Sequence, residues 1–273
     1  ETDQAIAINS IDVEVVLLSI DMRSIKKRRK LGYFESTYGN IPVHGINIPL
    51  GPISRKLSLF LGKISAIWIF DKIVKKYGYV DIIHAHFFDY GLIGARLKKR
   101  FNVPLIITDH LSHMMRKKIK YKIYVIANEA YQNADKIISV SPLLREALIR
   151  NFDVYSMYVP NIMKLELFNP KSRDIKGRFK FVSVANLIYR KRIDLVVKAF
   201  NLLRKNIDDV ELVIIGDGKE RNRIEELIVD YSLENCVSML GAMDREKIST
   251  LLPEFDAFVL PSQAETFGIV YVE

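Results

Sequence analysis

Cysteine occurs once in this 273-residue chain, at Cys236, so an intrachain disulfide is excluded and a reducing compartment is the natural setting. Cys236 lies in an apolar stretch, residues 236 to 240, and reads as core. No apolar run approaches the roughly 18 residues that a membrane span needs; the greasiest stretch, residues 57 to 70, is interrupted by Lys63. Walker A, G-x-G-x-x-G and G-x-S-x-G patterns are all missing, which removes P-loop, dinucleotide-binding and serine-elbow hydrolase chemistry as first readings. With 13 glycines and 9 prolines the chain is neither collagen-like nor of low complexity.

What is present is a globular balance, 49% apolar and 27% charged, with material for one large domain or two ordinary ones. Basic residues number 41 against 32 acidic, and the excess is uneven. Residues 1 to 168 hold 25 basic and 15 acidic side chains, residues 169 to 273 hold 16 and 17. The first part is therefore +10 and the second −1, which predicts two domains with different partners. The excess is gathered in runs, Lys26-Lys27-Arg28-Arg29-Lys30, Lys98-Lys99-Arg100 and Arg116-Lys117-Lys118. Any one run can be a solvated helix end; three together favour an anionic surface, a membrane or a polyanion.

Periodicity predicts alternating strands and helices. A strand is expected over residues 13 to 18, with a short helix before it, and residues 21 to 50 read as irregular. Residues 53 to 77 place Leu57, Phe60, Leu61, Ile64, Ile67 and Trp68 at helical spacing and stop at Gly78. Strands follow over 81 to 86, 104 to 108 and 136 to 140. Helices are expected over 90 to 100, 119 to 134 and 142 to 150, the last with Ser141 as cap and Pro142 at its first position. The polar, Pro- and Gly-bearing stretch 169 to 178 is expected to divide the chain, giving domains 1–168 and 169–273. Beyond it come strands over 179 to 184, 210 to 215, 237 to 240 and 257 to 260, and helices over 193 to 205, 219 to 231 and 244 to 252. Such alternation means an α/β chain with two doubly wound parallel sheets.

Ligands of such sheets lie beyond the carboxyl ends of the strands. After residue 215 comes Gly216-Asp217-Gly218, a turn that allows close backbone approach; an empty strand-to-helix turn would look the same. After the last strand come Glu265, Phe267, Gly268 and, eight residues beyond the first carboxylate, Glu273. With Gly268 at a helix start, free amides around Phe267, Gly268 and Ile269 suit a diphosphate, and carboxylates suit sugar hydroxyls. A capping Glu265 and a solvated Glu273 are the bland alternative. His84 and His86 share a strand face, as metal ligands can, but nothing completes a metal site. His113 reads as polar surface.

The serial order of Ala185-Asn186-Leu187, Lys191, Asp194-Leu195, Gly216-Asp217-Gly218, Leu240-Gly241, Pro261-Ser262 and Glu265-Thr266-Phe267-Gly268 up to Glu273 resembles the donor-binding half of retaining glycosyltransferases of family four, which have the GT-B fold. Asp81-Ile82-Ile83-His84-Ala85-His86, Thr108-Asp109-His110, Ser139-Val140-Ser141 and Val159-Pro160-Asn161 stand in the family's order in the first half. The resemblance implies two Rossmann-like domains facing across a cleft. It implies that Glu265 approaches the donor sugar, Glu273 holds the ribose, and Phe267 and Gly268 offer amides to sugar and phosphates. Lys191 would neutralise the departing diphosphate, and His110 would stand near the acceptor and the transferred sugar. Where the family shows Gly-Arg-Leu this chain has Asn186, so the missing guanidinium is expected to be replaced by Arg190 or Arg192. Gly216 and Gly218 complete the expected donor side.

The implied activity is metal-independent, retaining transfer of a sugar from a nucleoside-diphosphate sugar, with no other cofactor, to an acceptor hydroxyl. Surface polysaccharide or glycolipid synthesis is the expected setting, in the cytoplasm and at the inner face of an anionic membrane. A nucleotide-sugar epimerase shares the architecture and is one alternative. A nucleic-acid-binding module is another, although the basic runs lack interleaved aromatic platforms, and no nucleic-acid partner is expected. The family pattern further implies that both domains are incomplete, the first strand and glycine-rich loop missing at one end and the last elements at the other.

Overall fold

The structure, a computed structural model, describes residues 2–22, 30–49, 53–163, 165–168 and 177–273. It divides into two compact units, Glu1–Ile162 and Met163–Glu273. Most of the first basic run and the stretch 169 to 176, where the domain boundary was expected, lie outside the described residues.

The first unit opens with helix α1 (Thr2–Asn9), strand β1 (Leu17–Asp21) and a hairpin of β2 (Gly32–Tyr38) and β3 (Ile41–Asn47). Two expectations fail here. Residues 13 to 16 are not strand, because β1 pairs in parallel with β3 only from Leu17, opposite Val43, and the preceding position on β3 is Pro42, which has no N–H to give. Much of the span read as irregular is the antiparallel hairpin, Tyr38 opposite Ile41 across the two-residue turn Gly39-Asn40. His44 on β3 is buried, with Nδ1 2.5 Å from the Tyr33 hydroxyl and Nε2 3.0 Å from that of Tyr77, so it ties the hairpin to the following helix.

That helix, α2 (Arg55–Tyr77), is capped by Ser54 and stopped by Gly78. It buries Gly62, Ser65, Ala66, Ile69, Phe70 and Ile73. Leu57, Phe60, Ile64 and Trp68, which the periodicity marks as a helical stripe, are exposed. Then β4 (Ile83–His86), α3 (Phe87–Phe101), β5 (Leu105–Asp109), α4 (Tyr121–Gln132), β6 (Lys136–Ser139), α5 (Pro142–Phe152) and β7 (Met157–Tyr158) build a second sheet, wholly parallel, in the order β4-β5-β6-β7. Lys98, in the second basic run, sits in the last turn of α3 and pairs with Asp135 at 2.7 Å, a favourable place for a cation. Arg116, Lys117 and Lys118 are exposed.

The second unit follows the expected alternation closely: β8 (Phe179–Val184), α6 (Ile193–Arg204), β9 (Val210–Ile215), α7 (Arg221–Asp230), β10 (Val237–Gly241), α8 (Arg245–Leu251) and β11 (Ala257–Phe258). Its parallel sheet runs β10-β9-β8-β11. Leu187, Val197, Leu212, Ile214 and Ile224 form the centre of its core, and Cys236 packs against that core half-buried. The order reverses between β8 and β11, the kind of switch point where open α/β sheets bind ligands. No helix among the described residues is long and apolar enough to cross a membrane.

Candidate functional site

The loops leaving β8 and β11 flank that switch point, and they meet. Lys191 Nζ lies 2.5 Å from Glu265 Oε1, both side chains largely buried. The main chain supports the contact: the Gln263 amide donates to the Arg190 carbonyl at 2.9 Å. Burial pushes the Glu265 carboxyl up, but the hydrogen bond from Lys191 and the charges of Lys191 and Arg190 outweigh it and hold Glu265 below the usual carboxylate range. The site is thus a fixed pair of opposite charges at neutral pH.

Gly216 and Gly218 shape this region from behind. A Cβ on Gly216 would lie 1.8 Å from the Ala185 carbonyl oxygen, and one on Gly218 2.4 Å from that of Leu187. The two loops are laced together by Ala185 N–H to Ile215 O at 3.0 Å and Leu187 N–H to Asp217 O at 2.9 Å. The glycines therefore hold residues 185 to 187 in place. Asn186 itself is exposed. Arg192, one of the two expected substitutes for the missing guanidinium, is engaged elsewhere: its Nε and Nη2 each donate to Asp194 at 3.0 Å. The charge of Arg190 acts on Glu265.

Past Glu265 the expected helix is only a 3-10 turn, Ile269–Tyr271. Gly268 precedes it at φ 76°, and a Cβ there would strike the Tyr271 ring at 2.9 Å, so the turn is specified by glycine. Tyr271 donates its hydroxyl to the Leu260 carbonyl and sets its ring edge-on to Phe258, 5.5 Å between centroids. The backbone amides of Phe267 and Gly268 donate to no carbonyl among the described residues. Glu273, expected in the opening turns of a helix, follows the turn and is ion-paired, Oε1 2.7 Å from Arg245 Nε. The Arg245 guanidinium lies 5.4 Å from the Phe168 ring centroid. Sequence reasoning missed Arg245.

In the first unit, the ends of β4 and β5 carry a histidine cluster. His84 Nε2 is 2.7 Å from Thr108 Oγ1, and His86 Nδ1 is 3.0 Å from His110 Nε2. The rings stack at 4.7 Å (His84 on His86) and 5.2 Å (His86 on His110). Phe87, at φ 66°, packs 5.2 Å from His110; so bulky a residue in left-handed backbone is a strained position of the kind found at functional sites. Burial lowers the His86 pKa to about 3, helped by the neighbouring histidines. Burial likewise lowers His110 to about 4, against a hydrogen bond to the Asn161 side chain. These rings are neutral at pH 7.

Beneath them Asp109 is fully buried, accepting from the Leu111 amide at 2.8 Å and the Tyr131 hydroxyl at 2.5 Å. Burial pushes its carboxyl up to about 6, against those hydrogen bonds. His113, expected at the polar surface, is half-buried with its ring edge-on to Phe88 at 6.1 Å. Among the described residues no group of three or more His, Cys, Asp and Glu is arranged to hold a metal ion.

Residues 7–167 match the model of the family described as Glycosyltransferase Family 4, and residues 166–273 match that described as Glycosyl transferases group 1. The chain belongs to glycosyltransferase family 4. An uncharacterized glycosyltransferase of Methanocaldococcus jannaschii is 29% identical over 265 residues, covering 96% of this chain and 68% of that protein. The alpha-monoglucosyldiacylglycerol synthase of Streptococcus pneumoniae is 25% identical over 225 residues, covering 74% and 51%; the chain thus matches about half the length of that relative. Among solved structures, sucrose-phosphate synthase from Thermosynechococcus elongatus superposes with a TM-score of 0.76 over 98% of this chain and 70% of that one, at 22% identity. HepE of Anabaena, in complex with UDP and glucose, gives 0.67 over 94% and 77%, at 20% identity. The two Rossmann-like units of this family 4 chain are those of the GT-B fold.

Proposed function

We propose that this chain is a retaining glycosyltransferase that moves a sugar from a nucleoside-diphosphate sugar to an acceptor hydroxyl in glycan or glycolipid synthesis. The observation that carries the reading is the Lys191–Glu265 pair, held at the switch point of the second sheet. Lys191 is a point charge beside the position of the diphosphate, and the amides of Phe267 and Gly268 add fixed dipoles. Together with Arg190 they stabilise the charge that develops as the bond from the anomeric carbon to the diphosphate breaks. Glu265 orients the donor sugar and Glu273, steadied by Arg245, holds the ribose. Gly216, Gly218 and Asn186 frame the donor loop.

The acceptor oxygen attacks the same face of the anomeric carbon, and its proton passes to the leaving diphosphate oxygen. No enzymic nucleophile is needed, and catalysis is positioning plus charge stabilisation, without a metal ion. His110, neutral, lines the acceptor side. Relatives whose structures hold UDP favour a uridine donor, a relative named for a glycolipid product favours a lipid acceptor, and the basic excess of residues 1 to 168 favours its presentation at an anionic membrane.

Calorimetric titration with UDP-, GDP- and ADP-sugars, followed by a transfer assay, tests the reading. Lys191→Ala and Glu265→Ala should each lower turnover by about 10²–10³-fold while the far-UV spectrum and melting cooperativity stay those of the parent. Near-normal turnover by Lys191→Ala would move the diphosphate role to Arg190.

A further inference from the structure

The outer face of α2 is apolar and largely exposed, although Trp68 near its far end packs edge-on against Tyr33 of β2, 5.2 Å between ring centroids. Leu57, Phe60, Ile64 and Trp68 are 46%, 58%, 52% and 45% exposed. They stand three, four and four residues apart, which at 3.6 residues per turn makes one line about 16 Å long. The opposite face of the same helix is the one packed into the unit, so this line cannot also serve the core. A helix apolar all round is ordinarily buried all round; here one side is left in solvent.

The charges beside the line have one sign. α2 carries Arg55, Lys56, Lys63, Lys72, Lys75 and Lys76 against a single acid, Asp71. Arg55, Lys75 and Lys76 are taken up by Asp89, Asp71 and Glu35. Lys56 and Lys63 lie roughly 100° to one side of the line and Lys72 roughly 75° to the other, with Lys72 Nζ 4.7 Å from the Trp68 ring centroid and 5.2 Å from that of Tyr33. Lysines on both flanks of an apolar ridge are placed to reach upward to anionic groups while their stems lie along the ridge. A second copy of this chain laid on the same ridge would bring these lysines against each other.

We propose that this face of α2 is the surface by which the protein docks on an anionic lipid bilayer, with Phe60, Ile64 and Trp68 entering the headgroup region and Lys56, Lys63 and Lys72 meeting lipid phosphates. The inference deepens the membrane part of the function proposed above and does not depend on sugar transfer. It also moves the contact from the basic runs to an apolar helix face.

Trp68 is the sole tryptophan of the chain, so its emission reports directly on the ridge. Vesicles of phosphatidylglycerol and phosphatidylcholine should shift that emission to the blue and pull the whole protein up in flotation; pure phosphatidylcholine should do far less. Phe60→Ser with Ile64→Ser should weaken flotation about tenfold or more at unchanged melting temperature, since both side chains are solvent-exposed. Lys56→Ala with Lys63→Ala should weaken it and flatten its salt dependence. An emission shift that instead tracks protein concentration without lipid would assign the ridge to a second copy and overturn the proposal. So would anionic-vesicle binding that survives Phe60→Ser with Ile64→Ser. Donor titration on the same preparations keeps a failure of docking distinct from a failure of the transferase reading.

Discussion

Asp109 and the histidines above it show how single side chains set the pH behaviour of the first unit. His86 and His110 have folded-state pKa values of about 3 and about 4, below the ordinary histidine value, so between those values and about 6.5 the unfolded chain binds protons that the folded one refuses. Their contribution is complete above about 6.5 and is lost as pH falls. Asp109, raised to about 6, has the opposite sign: its contribution is complete below the ordinary carboxyl value and is lost as pH rises through about 6. The two effects oppose each other between about pH 4 and 6. Asp109→Asn removes one of them, so its stability should climb more steeply with pH across that window than the parent's. Urea unfolding at several pH values measures the slope, which is independent of whatever the variant loses by repositioning the Tyr131 hydrogen bond. Parallel slopes for variant and parent would show that Asp109 titrates normally.

At the scale of elements, the loop after β8 depends on the turn after β9. A methyl group on Gly216 would meet a carbonyl oxygen, a backbone atom that cannot swing aside. Gly216→Ala should therefore displace residues 185 to 187, destabilise the second unit by about 2–4 kcal/mol and weaken donor binding because Lys191 follows that loop. Thermal unfolding and UDP titration within error of the parent would mean that the loops can part without cost.

The elements also show what was legible beforehand. The second unit is legible almost strand for strand, because its strands are short apolar-rich runs with Gly, Pro or Asp close by. The hairpin at 32 to 47 falls within a span that reads as irregular, although Gly39-Asn40 between two alternating segments is a hairpin turn signal. For α2 the periodicity gives the helix but not its buried side, since apolar residues occupy both faces and spacing alone does not say which one meets the sheet. The family pattern names Lys191 and Glu265 separately; their contact, between residues 74 apart, is encoded by no local pattern. The His86–His110 contact depends on β4 lying beside β5 with His86 opposite Thr108, and no local pattern encodes that register. The burial of Asp109 depends on Tyr131, from α4, closing over it, a contact between residues 22 apart that no local pattern encodes.

At the scale of the whole molecule, each unit has its own core and its own chemistry. The second holds the ion-paired loops at a switch point; the first holds the neutral histidine cluster and the apolar ridge. The basic excess belongs to residues 1 to 168, the part that carries the ridge, while the near-neutral remainder carries the proposed nucleotide site. A nucleotide without its sugar should then act on the second unit alone. Hydrogen exchange with and without UDP tests this: protection is expected over residues 185 to 191, 216 to 218 and 262 to 271, which surround Lys191 and Glu265. Saturation at about 100 times Kd should add about 2.7 kcal/mol to the stability of the unit that binds, and amides of β8 and β9 that open only on unfolding should slow accordingly. Amides of β4 and β5, around the histidines, should exchange as before. If UDP instead slowed β4 and β5 and left the loops after β8 and β11 unchanged, the nucleotide site would lie in the first unit, and the roles proposed for Lys191, Glu265 and Glu273 would fall together.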